Sequence, residues 1–228
     1  MILIWIAMKD HDRAEVSHFF SESLRRYGYD PRSLGWIEGT QETRFRVLAA
    51  IGDLEGSSVL DVGCGFGDLY EYLCRNGISV DYTGVDMNPD FVEIARERHP
   101  DARFIVADFE EAKIDGRFDW AFESGVFNYK VSDHQAFVGN MVRKMFKAVR
   151  KGIAIDFLNN RGSFFSAGLY HPDPADLYHF CSKLSKRVVL RCDYKPTEFC
   201  VYLYRDTREA PGNVYRDYQE TSGRRKQP

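Results

Sequence analysis

The 228-residue chain is 44% hydrophobic and 29% charged, with a formal net charge of −3, so it can bury a full core as one domain plus a cap. The near-neutral balance supplies no long-range attraction to polyanions, and nucleic acid is not expected as a substrate. Cysteines at 64, 74, 181, 192 and 200 form no C-x-x-C pair and no Cys/His metal spacing, which predicts free thiols, a reducing cytoplasmic setting and no bound metal.

The opening, Met1 to Met8, is apolar but lacks a basic n-region, a cleavage site and bilayer-spanning length, so neither export nor membrane insertion is expected. Residues 10 to 27 read as a helix with Val16, Phe19, Phe20, Leu24 and Tyr27 along one side. A turn-rich loop, Gly28 to Trp36, leads to a second helix that starts near Thr40 as N-cap, buries Phe45, Leu48 and Ile51, and stops at Gly52.

The run Ser57-Ser58-Val59-Leu60-Asp61-Val62 suits a buried parallel strand, and Leu69, Tyr72 and Leu73 then recur at helical spacing. Between them lie Gly63, Gly65 and Gly67, a strand-to-helix joint at which backbone can approach a ligand closely. A dinucleotide fingerprint would place its third glycine at 68, but the chain carries Asp68 there, and an acid would face the pyrophosphate.

Asp61-x-Gly63-x-Gly65-x-Gly67 resembles the first motif of the class I S-adenosylmethionine-dependent methyltransferases, whose cofactor holds a ribose and an adenine but no phosphate. The resemblance implies that Asp61, Gly63, Cys64, Gly65 and Gly67 border that cofactor. It also implies that the N-terminal helices lie over it, with Tyr27, Tyr29, Trp36 and Arg44 as lid residues. The other reading is that the aromatics only pack the cap and Arg44 is solvated.

Asn76-Gly77 ends the next helix, and Val80 to Asp86 reads as a second strand. Asp86 lies 23 residues past Gly63, where a carboxylate accepts the ribose hydroxyls, with Met87 beside it. Helix capping is the alternative role for Asp86, yet Asn88-Pro89 already meets that need. Phe91, Ile94, Ala95 and Arg98 carry the following helix to His99-Pro100. The third strand, Ala102 to Ala107, ends at Asp108 and Phe109. These resemble the superfamily's adenine-binding acid and the residue lying against the ring, with a loop cap as the alternative for Asp108.

Strand four, Phe118 to Phe122, delivers Glu123, Ser124 and Tyr129 to the crevice, and the loop lacks the Asn/Asp-Pro-Pro-Tyr sequence of methyltransferases acting on base or amide nitrogens. Ser132 is expected to cap a long helix reaching Gly152, and Ile153 to Leu158 to form strand five. The loop from Asn159 to Asp173 carries Arg161, Phe164, Phe165, Tyr170 and His171. His171 and Tyr170, then Tyr129, are the candidate catalytic residues. Asp173 caps a helix opened by Pro174. Arg187 to Asp193 and Glu198 to Arg205 are strands joined too tightly for a crossover and are therefore antiparallel.

The expected fold is α/β, a three-layer α/β/α sandwich around a mostly parallel seven-stranded sheet with one antiparallel strand. Residues 1–39 would form the helical cap, 40–206 the S-adenosylmethionine-binding domain and 207–228 a polar, mobile tail. The implied activity is methyl transfer to a small molecule, with no membrane or nucleic-acid partner. Another displacement on the same sulfonium (aminocarboxypropyl transfer or ring closure) or a non-catalytic cofactor-binding protein stays open.

Overall fold

The computed structural model describes residues 8–36, 39–114, 116–162 and 165–206; the expectations for Met1 to Ala7, for Phe164 and for the segment from Thr207 lie outside them. Strands β1 (Ser57–Val62), β2 (Val80–Asp86), β3 (Arg103–Val106), β4 (Phe118–Glu123), β5 (Val149–Leu158), β6 (Arg187–Arg191) and β7 (Glu198–Tyr204) form one sheet in the order β3-β2-β1-β4-β5-β7-β6. β7 runs antiparallel to both β5 and β6, and the remaining pairs are parallel. The order reverses between β1 and β4, which opens a crevice at the carboxyl ends of these two strands.

Two cores sandwich the sheet. Helices α2 (Gln41–Ala49), α3 (Asp68–Arg75) and α4 (Pro89–Arg98) pack on one face through residues such as Leu48, Leu73 and Val92. Helices α5 (His134–Ala148) and α6 (Pro174–Ser182) pack on the other through Met141, Met145 and Leu177. Fully buried side chains such as Leu60, Leu73 and Ile155 each contribute about 1.5–3 kcal/mol of transfer free energy. Helix α1 (Asp10–Tyr27) and the 3-10 turn Pro31–Leu34 form the cap. Asp12 accepts hydrogen bonds from the Ser132 backbone N–H and hydroxyl, and Phe20 meets Phe91 edge-on, so α1 lies across the crevice. No helix among the described residues is long and apolar enough to cross a membrane.

Several boundaries differ from the sequence reading, among them the end of α2 at Ala49 in place of Gly52. Helix α5 starts at His134 with Asp133, not Ser132, in the capping position, because Ser132 is engaged by Asp12 of the cap and the His134 ring accepts the Val131 N–H instead. The same helix ends at Ala148, and β5 begins at once with Val149, which pairs with Phe118. Gly152 is therefore a strand residue, lying where a Cβ would come within 2.5 Å of the Leu203 carbonyl oxygen and 3.1 Å of Trp120. Thr40 precedes α2, but its backbone is already helical and its side chain makes no capping bond; its hydroxyl accepts from Arg44 at 3.4 Å.

Candidate functional site

The turn after β1 is held from two sides. Gly63 and Cys64 donate to the Val85 carbonyl at 2.8 and 3.2 Å, and the Gly65 N–H donates to Asp86 Oδ2 at 2.9 Å. Asp86 Oδ1 accepts the Asn88 N–H at 2.9 Å, so one carboxylate fastens both the glycine turn and the start of α4 while its remaining lone pairs face the crevice. Gly63 sits at φ 75°, and a Cβ there would come within 2.1 Å of Val126 Cγ2. At Gly67 a Cβ would strike His99 and Phe104 instead, so that glycine serves helix packing and not the crevice.

The crevice widens into a cavity with about 1180 Å³ of empty space, partly open to solvent. Its walls bring together Asp61, Gly63, Cys64, Gly65, Asp86, Met87, Asp108, Phe109, Ser124, Trp36 and Tyr129 from the sequence expectations. Val16, Phe20, Leu34, Phe45, Val126, Val131, Phe137 and Met141 make most of the rest apolar. Four lining residues are acids, namely Asp61, Asp68, Asp86 and Asp108, and among the described lining residues there is no Lys, Arg or His.

These acids differ in their surroundings. Burial pushes Asp61 up to about 7, against the opposing effect of the Tyr82 hydroxyl that donates to it, and Asp86 and Asp68 push in the same direction as burial. Burial also raises Asp86, opposed by the N–H groups of Asn88, Gly65 and Met87. Asp68 pairs with Arg98 at 2.8 Å and accepts longer bonds from Tyr29 and Gln41, both at 3.4 Å. Asp108 accepts from Arg13 Nε at 2.6 Å and from the Glu110 N–H at 2.8 Å. Arg13 also reaches Glu111 at 2.9 Å and the Met8 carbonyl at 2.5 Å, which makes it the tie between α1 and the loop after β3. Nothing in the local sequence around Arg13 signals that role.

Several expected site residues lie elsewhere. Tyr170 and His171 line a second, more open cleft with Lys130 to Ala136, Phe165 and Leu169, and the Tyr170 ring packs 4.0 Å from His134. A backbone bridge joins Tyr129 to Leu169, Val131 borders both the cleft and the cavity, and of the three catalytic candidates only Tyr129 reaches the cavity wall. Arg44 is buried, is ion-paired with Glu198 and lies 4.0 Å over the Trp36 ring, so it supports the lid from behind and is not solvated. Tyr27 packs under the guanidinium groups of Arg26 and Arg32, away from the cavity wall. Glu123 is fully buried beneath the crevice floor, where burial and the neighbouring Asp156 push its carboxyl well up.

Asp156, behind Ser124 of the cavity wall, is a second residue that sequence reasoning passed over. It is 2% exposed, accepts the Ser124 hydroxyl at 2.7 Å, and is pushed up to about 6 by burial, with Arg44 acting in the opposite direction. The available signal was a lone acid inside the apolar run Ile153-Ala154-Ile155-Asp156-Phe157-Leu158, where an ionisable group needs a partner.

Residues 59–152 match the family model described as a methyltransferase domain. The chain is 33% identical over 156 residues to the Mycobacterium tuberculosis protein Rv1506c, whose name assigns it to the methyltransferases; the alignment covers 64% of this chain and 92% of that one. It is 35% identical to the fatty-acid O-methyltransferase of Mycolicibacterium smegmatis over 41% of this chain, and 36% identical to the trans-aconitate 2-methyltransferase of Afipia carboxidovorans over 39%. Those matches span only 38% and 34% of the two enzymes' own length. The fold is that of magnesium protoporphyrin IX methyltransferase from Synechocystis PCC 6803 with bound SAH, with a TM-score of 0.60 at 17% identity, covering 86% of this chain and 100% of the other.

Proposed function

The chain belongs to the S-adenosylmethionine-dependent methyltransferases, and on that premise we propose that it methylates a small-molecule acceptor, in the cytoplasm and without a nucleic-acid partner. The observation that carries the site assignment is the set of acids on the cavity wall, with Asp68 and Asp108 paired to arginines outside it, Asp61 and Asp86 without a cationic partner and no described cation among the lining residues, which suits a sulfonium and ribose hydroxyls and not a pyrophosphate. The residues present fit the cofactor on a second count: Gly63 and Gly65 line the cavity at positive φ, so bare backbone without a Cβ forms that part of the wall.

In this reading Asp86 receives the ribose hydroxyls, Asp108, Phe109 and Met87 border the adenine, and Asp61, Gly63, Cys64, Gly65 and Ser124 face the reactive end. When bound, the sulfonium supplies an already activated methyl carbon. The protein's own work is then to orient the acceptor and exclude water, and alignment of this kind supplies about 7–11 kcal/mol. The apolar wall and the lid of α1 and Trp36 serve both ends. Gly67, Arg44 and Glu123 contribute by packing behind the wall. Tyr129 is the one of the three catalytic candidates that the cavity offers to an acceptor.

Isothermal titration tests the assignment. S-adenosylmethionine and S-adenosylhomocysteine bind and NAD does not; Asp86→Ala weakens binding by about 2–4 kcal/mol, since charge-assisted bonds to ribose and the tether on Gly65 are lost together. Release of methylthioadenosine in place of S-adenosylhomocysteine on turnover would show a different displacement.

A further inference from the structure

Resting on that reading, we infer that the acceptor is an uncharged, largely apolar molecule bearing a hydroxyl, and that its proton leaves through Ser124 to Asp156. The first half follows from the arginines around the cavity, three of which are already held by acids, while Lys144, over the Phe109 ring, is spent on the Glu110 and Ala112 carbonyls. Arg13 is held by Asp108 and Glu111, Arg98 by Asp68 and Glu71, and Arg44 by Glu198. With the cofactor lying over Asp86 and Asp108, the acceptor meets a mostly apolar wall in which no described Lys, Arg or His is present to pair a carboxylate, whereas that wall welcomes a neutral skeleton.

The second half follows from a geometric link. Ser124 lines the cavity, and its hydroxyl donates at 2.7 Å to Asp156, which is buried behind it on β5. A serine whose proton is committed to a carboxylate presents only lone pairs to the cavity, so it receives an O–H and not an oxyanion. The acceptor oxygen forms its bond to the methyl carbon while the sulfur–methyl bond breaks with its pair on sulfur. The acceptor proton passes to Ser124 Oγ as the Ser124 proton passes to Asp156 Oδ2, so one positive and one negative charge disappear together. After product leaves, the proton returns through Ser124 to water entering the cavity.

The groups facing Asp156 set when it is ionised: Arg44 from α2, the Ser124 hydroxyl and Lys195 from the β6–β7 turn favour the carboxylate, Glu198 of β7 opposes it, and Glu123 of β4, Tyr194 and Cys200 lie near enough for its charge to push them up. Burial pushes it to about 6, so it is ionised and able to accept a proton at neutral pH, and protonated below. Ser124 would touch the acceptor; Asp156 acts through it as a positioning residue and proton store.

The test uses the full chain saturated with S-adenosylhomocysteine, whose own titration checks the cofactor reading separately. A panel of apolar alcohols and phenols, each paired with the carboxylate of the same skeleton, is then titrated. At least tenfold tighter binding in the hydroxyl arm is expected; equal affinity, preference for carboxylates or an empty hydroxyl arm overturns the inference. With S-adenosylmethionine and the best-bound hydroxyl compound, kcat should rise with pH around 6. Asp156→Asn should lower kcat at neutral pH at least thirtyfold and abolish that rise while KM stays within about threefold, and Asp156→Glu should restore part of it. A rise near pH 6 that survives in Asp156→Asn, or wild-type kcat in Ser124→Ala, overturns the proton route.

Discussion

Replacing Asp61 by Asn should convert a pH-dependent cost of folding into a constant one. The Asp61 carboxyl is 4% exposed, accepts the Tyr82 hydroxyl, and is raised by burial from its ordinary 3.8 to about 7. A raised acid favours the fold while it is protonated; that contribution is complete below about pH 4 and is lost as pH rises through about 7. Roughly three units at about 1.4 kcal/mol each make ionised Asp61 a burden of about 4 kcal/mol above pH 7, of which about 2–3 kcal/mol develops between pH 5 and pH 8. Asn cannot ionise, and because the Asp86 charge pushes Asp61 up, the difference between the two proteins reports Asp61 together with its coupling to Asp86. Urea unfolding of the cofactor-free pair should therefore show Asp61→Asn gaining about 2–3 kcal/mol on the wild type from pH 5 to pH 8. Saturating S-adenosylmethionine should shrink that gain, because a cation beside the carboxylate favours its charged form. A difference between the two proteins that does not change with pH would show that Asp61 is ionised throughout and refute the reasoning.

Gly63→Ala should destabilise the fold by about 2 kcal/mol or more, combining a left-handed backbone with a Cβ driven into Val126. Val126→Ala in the same chain should recover the steric part, and additive effects in the urea-unfolding cycle would exclude the clash. Arg13→Ala removes bonds to Asp108, Glu111 and the Met8 carbonyl, so amide exchange across α1 should accelerate at least tenfold while β1 stays protected. Unchanged α1 protection would show that apolar contacts alone hold the cap. His171→Ala should leave acceptor KM and kcat within about twofold, as His171 does not line the cavity, whereas Tyr129→Ala should raise KM at least tenfold.

Much of this protein was legible without coordinates because it is encoded locally. Alternation and run length mark the strands, Asn88-Pro89 and Asp173-Pro174 cap their helices through their own side chains, and the tight Tyr194-Lys195-Pro196-Thr197 link forces β7 to reverse. The spacing of Gly63, Gly65 and Asp86 likewise settles in advance that a carboxylate meets the glycine turn, since neighbouring parallel strands bring their carboxyl ends together. Relations between distant segments were not legible. Arg13 finds Asp108 across 95 residues only because α1 crosses the crevice. Ser132 abandons its helix for Asp12 of the same cap, 120 residues away. The loop after β5 turns outward once Leu169 bridges Tyr129, which carries Tyr170 and His171 away from the cavity although they follow a strand end. Asp156 depends on strand phase: Ile153, Ile155 and Phe157 face α5 and α6, so Asp156 must face α2, where Ser124 waits. Period-two alternation is written in the chain, but which of the two faces adjoins the cavity is decided by how the helices pack over the sheet.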